Sequence, residues 1–209
     1  MLPRLHIVTD DAVLARPDFK DHARAIVQVG HGVALHVRGR TTTARRLYDI
    51  AGLLQPAARE SGALLVINDR VDVALAARVP AVQLSDRSLP PDVVHRIAGP
   101  DLRIGRSAHN VAEVEQAAAD GAAFVLLGTI WPSASHPGGP VGGTGLIRAA
   151  AAVGVPLIAI GGVTRSRVAE AVAAGAYGVA VISAVWGSTD PARSARILVE
   201  EVESNVEHG

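Results

Sequence analysis

The chain has 209 residues, 49% apolar and 19% charged, with 21 glycines, 12 prolines and no cysteine, a composition that excludes disorder and suits one globular domain. Twenty acidic residues balance twenty basic ones, so no overall field draws in nucleic acid or an anionic membrane, and a charged ligand must be held locally. Without cysteine there is no disulfide framework, thiolate nucleophile or thiolate metal site, which fits a reducing cytoplasm. The opening residues MLPRLHIVTD lack the order of a secretory signal, and no apolar run reaches membrane-spanning length. Lys20 is the only lysine, on what reads as the first helix, so Schiff-base chemistry from a strand-end lysine is not expected.

Eight runs rich in Val, Ile and Leu recur, each followed by an Ala-rich stretch with helical spacing, the mark of successive βα units. The predicted strands are 5–10 (LHIVTD), 33–38 (VALHVR), 64–69 (LLVIND), 81–85 (AVQLS), 103–108 (RIGRSA), 124–129 (FVLLGT), 157–162 (LIAIGG) and 178–184 (GVAVISA). Nearly all-apolar strands of this kind are buried on both faces. Predicted helices include 18–29, 42–60, 110–120 and 164–174, capped by Asp18, Thr42, Asn110 and Thr164. Gly62, Gly121 and Gly175, each just ahead of a strand, mark helix C-termini. Eight such units across 1–209 fill a single (β/α)8 TIM barrel and leave no room for a second domain. An open doubly wound sheet is the rival, but the first strand lacks the glycine-rich dinucleotide turn. The irregular stretch 132–145 (PSASHPGGPVGGTG) is expected to be a lid or an unstructured crossing.

A barrel builds its active site at the C-terminal ends of its strands. Polar residues stand at most of those ends here, and although any one of them can be a helix cap, the set together points to a site. Strand seven ends in AIGGV (159–163) and strand eight in AVISAV (180–185). Gly161 and Gly162 allow close approach of a phosphate to backbone N–H groups, and Ser183 opens a helix, so a phosphorylated substrate is expected there. This motif specifies a phosphate and not a reaction. Arg38 and Arg40 offer cationic forks to a carboxylate or phosphate beside the Asn68 amide and the Asp69 carboxylate. A structural Arg38–Asp69 ion pair is the plainer alternative. His36, His109 and, in the 132–145 stretch, His136 are candidate proton carriers near neutral pH. No spacing of His, Asp and Glu marks a dedicated metal site.

The stretches IVTD (7–10), HVRGR (36–40), INDRVDVALA (67–76), QLSDRSLP (83–90), IGRSAHN (104–110), LLGTIWPSASH (126–136), AIGGV (159–163) and VAVISAV (179–185) run in order along the chain. Together they resemble the thiamine phosphate synthase/TenI superfamily of small (β/α)8 barrels. The resemblance implies one of two activities. The synthase joins a hydroxymethylpyrimidine diphosphate to a thiazole phosphate with magnesium; the TenI-type tautomerase isomerises a carboxythiazole phosphate to its aromatic form without metal. The synthase pattern carries Gln-x-Arg-x-Lys after strand two, Asn-Asp after strand three, an Asp after strand four and Thr-x-Thr-Lys after strand six. Arg38, Asn68 and Asp69 match it. His36 stands for the Gln, Arg40 for the Lys, Ser88 for the second metal-binding Asp, Ser133 and Ser135 for the threonines, and His136 for the final Lys. Losing a carboxylate weakens a magnesium site, and Asp86, two residues earlier, would point differently.

On these departures the resemblance is closer to the TenI-type branch, and the expected activity is tautomerisation of a carboxythiazole phosphate without a cofactor. In that reading Gly161, Gly162, Ile182 and Ser183 hold the phosphate and Arg38 faces the carboxylate. Arg40, Asn68, Ser107, Ser133 and Ser135 complete the ligand contacts. His136 is the first choice of proton carrier, with His109 and His36 behind it. Thr129 stands where that branch carries its catalytic His, and a threonine hydroxyl cannot act as a base unaided. The alternatives are a magnesium-dependent thiamine phosphate synthase with Asp69 as metal ligand, and a non-catalytic phosphate-binding regulator. The expected partner is a small phosphorylated thiazole or pyrimidine, with homodimer pairing and neither nucleic acid nor membrane. A cytoplasmic location is expected.

Overall fold

The computed structural model describes residues 1–133 and 138–207. In chain order, β1 (Leu5–Val8) leads to α1 (Asp11–Ala15) and α2 (Phe19–Val27), β2 (Val33–Val37) to α3 (Ala44–Ser61), and β3 (Leu64–Asn68) to α4 (Val71–Ala76). Next come β4 (Ala81–Leu84) with α5 (Pro91–Ala98), β5 (Arg103–Ala108) with α6 (Val111–Ala119), and β6 (Phe124–Leu127) with α7 (Gly143–Ala151). The chain ends with β7 (Leu157–Ile160), a 3₁₀ turn (Arg165–Arg167) running into α8 (Val168–Ala173), β8 (Gly178–Val181), α9 (Ser183–Trp186) and α10 (Pro191–Glu207). The strands are parallel and close in sequence order, β1 pairing with both β2 and β8, so the fold is a single (β/α)8 TIM barrel.

Alternation along each strand separates two cores. Leu5, Ile7, Leu35, Val37, Leu65, Ile67, Val125 and Leu127 belong to the large outer core shared with the helices. Val8, Phe124, Leu126, Ile158 and Ala180, with Ala34, Leu64, Val66 and Ala81, form smaller clusters inside the barrel. The interior also holds fully buried polar side chains, His6, His36 and Gln83. A side chain at Gly105 would collide with Gln83 and the Phe124 ring, so this glycine makes room for the phenyl group across the barrel axis.

Predicted strands overrun the observed ones by up to three residues, as at 178–184 against Gly178–Val181, because their polar or glycine ends leave the ladder to build loops. Gly62, Gly121 and Gly175 end helices with φ of 81°, 85° and 102°, the left-handed values expected of a helix-ending glycine. Among the predicted caps, Asn110 accepts from the Glu113 N–H at 2.9 Å. Thr43, not Thr42, caps α3, because the Thr42 hydroxyl donates to Asp11 at 2.8 Å. Asp18 and Thr164 precede their helices without a side-chain cap bond. Lys20 lies on α2, since the short α1 after β1 was not foreseen. Among the described residues no helix is long and apolar enough to cross a membrane.

Candidate functional site

A cavity of about 540 Å³ opens at the C-terminal mouth of the barrel. Its floor is the top of the inner core, Val8, Leu126, Ile160 and Ala180, and its walls are strand ends and loops carrying Arg38, Arg40, Asn68, Asp69, Ser107, His109, Thr129 and Ser133. Gly161, Gly162, Ile182 and Ser183 close the remaining side. Ser135 and His136 lie outside the described residues. Asp10, Ser85, Asp86, Thr164 and Arg167 also line the cavity.

The β2 loop is fixed from β1. The buried Thr9 hydroxyl donates to the Arg38 carbonyl and accepts from the Arg38 N–H, each at 2.8 Å. Asp11 accepts from the Arg40 and Thr41 N–H groups and the Thr42 hydroxyl. Partial desolvation raises the Asp11 pKa, but these donors, Thr42 first, outweigh it and bring it down to about 2. Arg38 makes no ion pair with Asp69 or any other carboxylate among the described residues. Burial and the neighbouring Arg40 charge lower its pKa from the ordinary value, and a guanidinium remains charged all the same. The loop thus presents a preorganised cation that feels the Asp69, Asp10 and Asp11 charges without pairing with any of them.

Asp69 has a φ of 60°, a left-handed conformation that Asp and Asn tolerate better than most residues. That turn aims its carboxylate across to the loop after β4. Oδ1 accepts from the Ser85 N–H at 2.8 Å and the Ser88 hydroxyl at 2.6 Å, while Oδ2 has no hydrogen-bond partner among the described residues. Ser88 therefore anchors the carboxylate of Asp69 rather than supplying one of its own.

On the far side, Gly161 and Gly162 have φ of 96° and 65°. A Cβ on Gly162 would lie 2.5 Å from the Pro132 carbonyl oxygen, so only glycine fits against the 131–132 backbone. Among the described residues neither the Gly162 nor the Ser183 N–H has an acceptor within the protein, which leaves both for an anion. Arg167 was missed because in sequence it reads as one more polar residue of a helix over 164–174. Its guanidinium donates to the Gly162 carbonyl at 2.5 Å and sits 5.3 Å from the Trp131 ring centroid, placing a cation at the edge of the cradle. Arg167→Gln should weaken binding of inorganic phosphate about tenfold, about 1.4 kcal/mol, measured by calorimetry; unchanged affinity would put this cation outside any anion site here.

Of the three candidate proton carriers only His109 and His36 are among the described residues, and each is engaged by neighbours within the protein. His109 is exposed on the rim and, with Asn110, brackets Glu113 in a reciprocal cap of α6, its N–H donating to Glu113 at 2.7 Å. His36 is fully buried one residue below the mouth, with its Nε2 2.8 Å from His6 Nδ1. Burial depresses its pKa to about 4, against a raising bond from Asn68, and holds His6 well below its ordinary value. An unfolded imidazole takes up a proton near pH 6.5, whereas folded His36 does so only near 4. The His36 ring leaves stability unaffected above pH 6.5 and opposes folding increasingly from 6.5 down to 4, by up to about 1.4 kcal/mol per pH unit, and His6, also lowered, acts in the same direction. Urea unfolding at pH 7.5 and 5.5 should show this loss, and His36→Gln should make it shallower.

A closed barrel with backbone N–H groups after β7 and β8 that are unengaged among the described residues, and with a basic loop after β2, has the architecture in which barrel enzymes commonly place a phosphate site. The sequence pattern of the thiamine monophosphate synthase family matches residues 5–185, and the chain belongs to that family. It is 38% identical to a thiamine-phosphate synthase of Roseiflexus castenholzii over 198 residues, 94% of this chain and 86% of that one. It is 38% identical to a thiamine-phosphate synthase of Methanoculleus marisnigri, covering 95% and 94% of the two chains. The solved thiamine phosphate pyrophosphorylase of Pyrococcus furiosus superposes with a TM-score of 0.84 at 30% identity over 98% of this chain and 97% of that one.

These relatives overturn the expected isomerase of TenI type: proteins alike over nearly their whole length are synthases, which are transferases. The geometry explains the misreading. The departures at His36 and Ser88 were weighed as lost chemistry, yet one side chain is a core residue and the other a support for Asp69.

Proposed function

We propose that this chain is a thiamine-phosphate synthase. It joins a hydroxymethylpyrimidine diphosphate to a thiazole phosphate: the thiazole nitrogen forms a bond to the pyrimidine methylene carbon as the carbon–oxygen bond to the diphosphate breaks. Pyrophosphate leaves with the electron pair. The observation that carries this reading is a pair of separate anion-holding features in one cavity, Arg38 and Arg40 after β2, and Gly161, Gly162 and Ser183 after β7 and β8. Two phosphorylated reactants can use one feature each, and the likeness to synthases along nearly the whole chain favours that use over a carboxylate at Arg38.

Binding in one cavity removes the entropic cost of bringing two reactants together, and the arginines stabilise charge developing on the leaving diphosphate. Asn68, Ser107 and Ser133 serve as further ligand contacts and Thr129 as a wall residue. Magnesium, when bound, supplies neutralising charge to the diphosphate. The donor set fits it: Asp69 offers the unengaged Oδ2 with Asp86 on the same cavity wall, and magnesium is commonly held by one or two carboxylates plus substrate phosphates. Among the described residues no three of His, Asp and Glu gather as ligands, which suits a cation shared with substrate. The zero formal net charge and absence of cysteine accord with a cytoplasmic enzyme on small phosphorylated ligands, with no nucleic-acid partner; homodimer pairing is tested by light scattering.

The test is pyrophosphate release. With magnesium present, release should require both substrates together and stop on chelation. Release from the pyrimidine diphosphate alone would make the chain a hydrolase instead, and binding of thiazole phosphate without release would make it a regulator.

A further inference from the structure

A line of hydrogen-bonding groups climbs the inside of the barrel from its base to the cavity. The Pro3 carbonyl lies 3.1 Å from His6 Nε2, His6 Nδ1 lies 2.8 Å from His36 Nε2, and His36 Nδ1 lies 3.3 Å from the Asn68 amide at Oδ1. Both rings are fully buried, and Phe124 packs against them with centroids 5.1 and 6.4 Å away. Asn68 stands at the top, where it lines the cavity. Three links need three protons, and two neutral imidazoles carry two.

The base of the line fixes the rest. A backbone carbonyl only accepts, so His6 holds its proton on Nε2 and offers a bare Nδ1. His36 must then donate from Nε2, which leaves its own Nδ1 bare and in need of a donor. The amide oxygen cannot be that donor; the amide nitrogen can. The two ends of an amide have the same shape, so a half-turn about its last torsion exchanges them in place. We propose that His6 and His36 are positioning residues that hold the Asn68 amide nitrogen inward and so present its oxygen, an acceptor, to a donor group on the bound ligand. Burial, which keeps both rings neutral, supports the same proton count. The inference deepens the synthase reading, because it states which polarity of substrate group Asn68 selects, but its first test needs no turnover.

That test is a long-range proton–nitrogen correlation spectrum of the full chain labelled with ¹⁵N-histidine at pH 7.5, with His6→Gln and His36→Gln used for assignment. Both rings should be neutral with the proton on Nε2. A proton on Nδ1 of His36, or a third proton on the pair, would overturn the proposal. The kinetic companion compares His36→Gln with His36→Leu. A glutamine can donate to His6 Nδ1 from its nitrogen and accept from Asn68 at its oxygen, so it should keep KM for the pyrimidine diphosphate within about threefold. The leucine should raise KM about tenfold or more with a smaller change in kcat, and equal KM values in the two variants would also overturn the proposal. Inactive protein with the expected tautomers defeats the synthase reading alone; active protein with the other tautomers defeats this inference alone. Should the leucine variant fail to fold, the spectrum of the unaltered chain decides.

Discussion

Gly162→Ala should cost the protein nearly all of its phosphate site and a measurable part of its stability. At a φ of 65° an added Cβ would meet the Pro132 carbonyl oxygen at 2.5 Å, Trp131 Cβ at 2.8 Å and the Trp131 carbonyl oxygen at 2.9 Å. Two of these contacts are backbone, so no rotamer change relieves them, and the segment 131–132 or the β7 loop itself must move. Left-handed strain for a non-glycine residue costs about 1–3 kcal/mol before the overlap is counted. A loss of about 3 kcal/mol corresponds to a fall in Tm of about 6–12 °C for a domain of this size. The functional loss is larger, because a shift of about 1 Å in a group that positions substrate can cost about a hundredfold. Steady-state kinetics and thermal melts check both, and an alanine variant with unchanged affinity for thiazole phosphate would remove Gly162 from the cradle.

The second large effect is expected at Asp69. Asparagine is the informative replacement because it tolerates the same left-handed backbone and can still accept at Oδ1 from Ser85 and Ser88. Stability should therefore change little. What disappears is the negative charge, and with it the carboxylate oxygen left unengaged toward the cavity. If that oxygen holds the cation that neutralises the departing diphosphate, kcat should fall by about a thousandfold or more, in the range lost when a main electrostatic stabiliser of a transition state is removed. Affinity for thiazole phosphate, held on the other side, should stay within a few-fold. Wild-type turnover in Asp69→Asn would place the metal elsewhere, with Asp86 as the next carboxylate on the wall.

The barrel was legible because a strand buried on both faces must be apolar at nearly every position, and LLVIN or FVLL can be little else. The strand ends were less so, since Thr9–Asp10 and Gly161–Gly162 look continuous with their strands and leave the ladder only because the loops need them. The paired glycines and Ser183 were readable as local motifs, and the fold brings them together on one side of the cavity. Arg167 was not, because its significance lies in Gly162 and Trp131, neighbours made by folding. His36 was visible but misassigned: in VALHV the alternation already puts it on the same inward face as Ala34. Its partner His6 sits on the inward face of β1, and only the strand register brings the two rings together. The choice between isomerase and synthase turned on single-residue departures, whose meaning depends on what each side chain touches: Ser88 touches Asp69.

The most direct measurement is mass-spectrometric detection of thiamine phosphate after the purified chain is given hydroxymethylpyrimidine diphosphate, thiazole phosphate and magnesium. A synthase forms thiamine phosphate and pyrophosphate in equal amounts, and both disappear when either substrate or the metal is withheld. No thiamine phosphate from folded protein that binds both substrates would contradict the account.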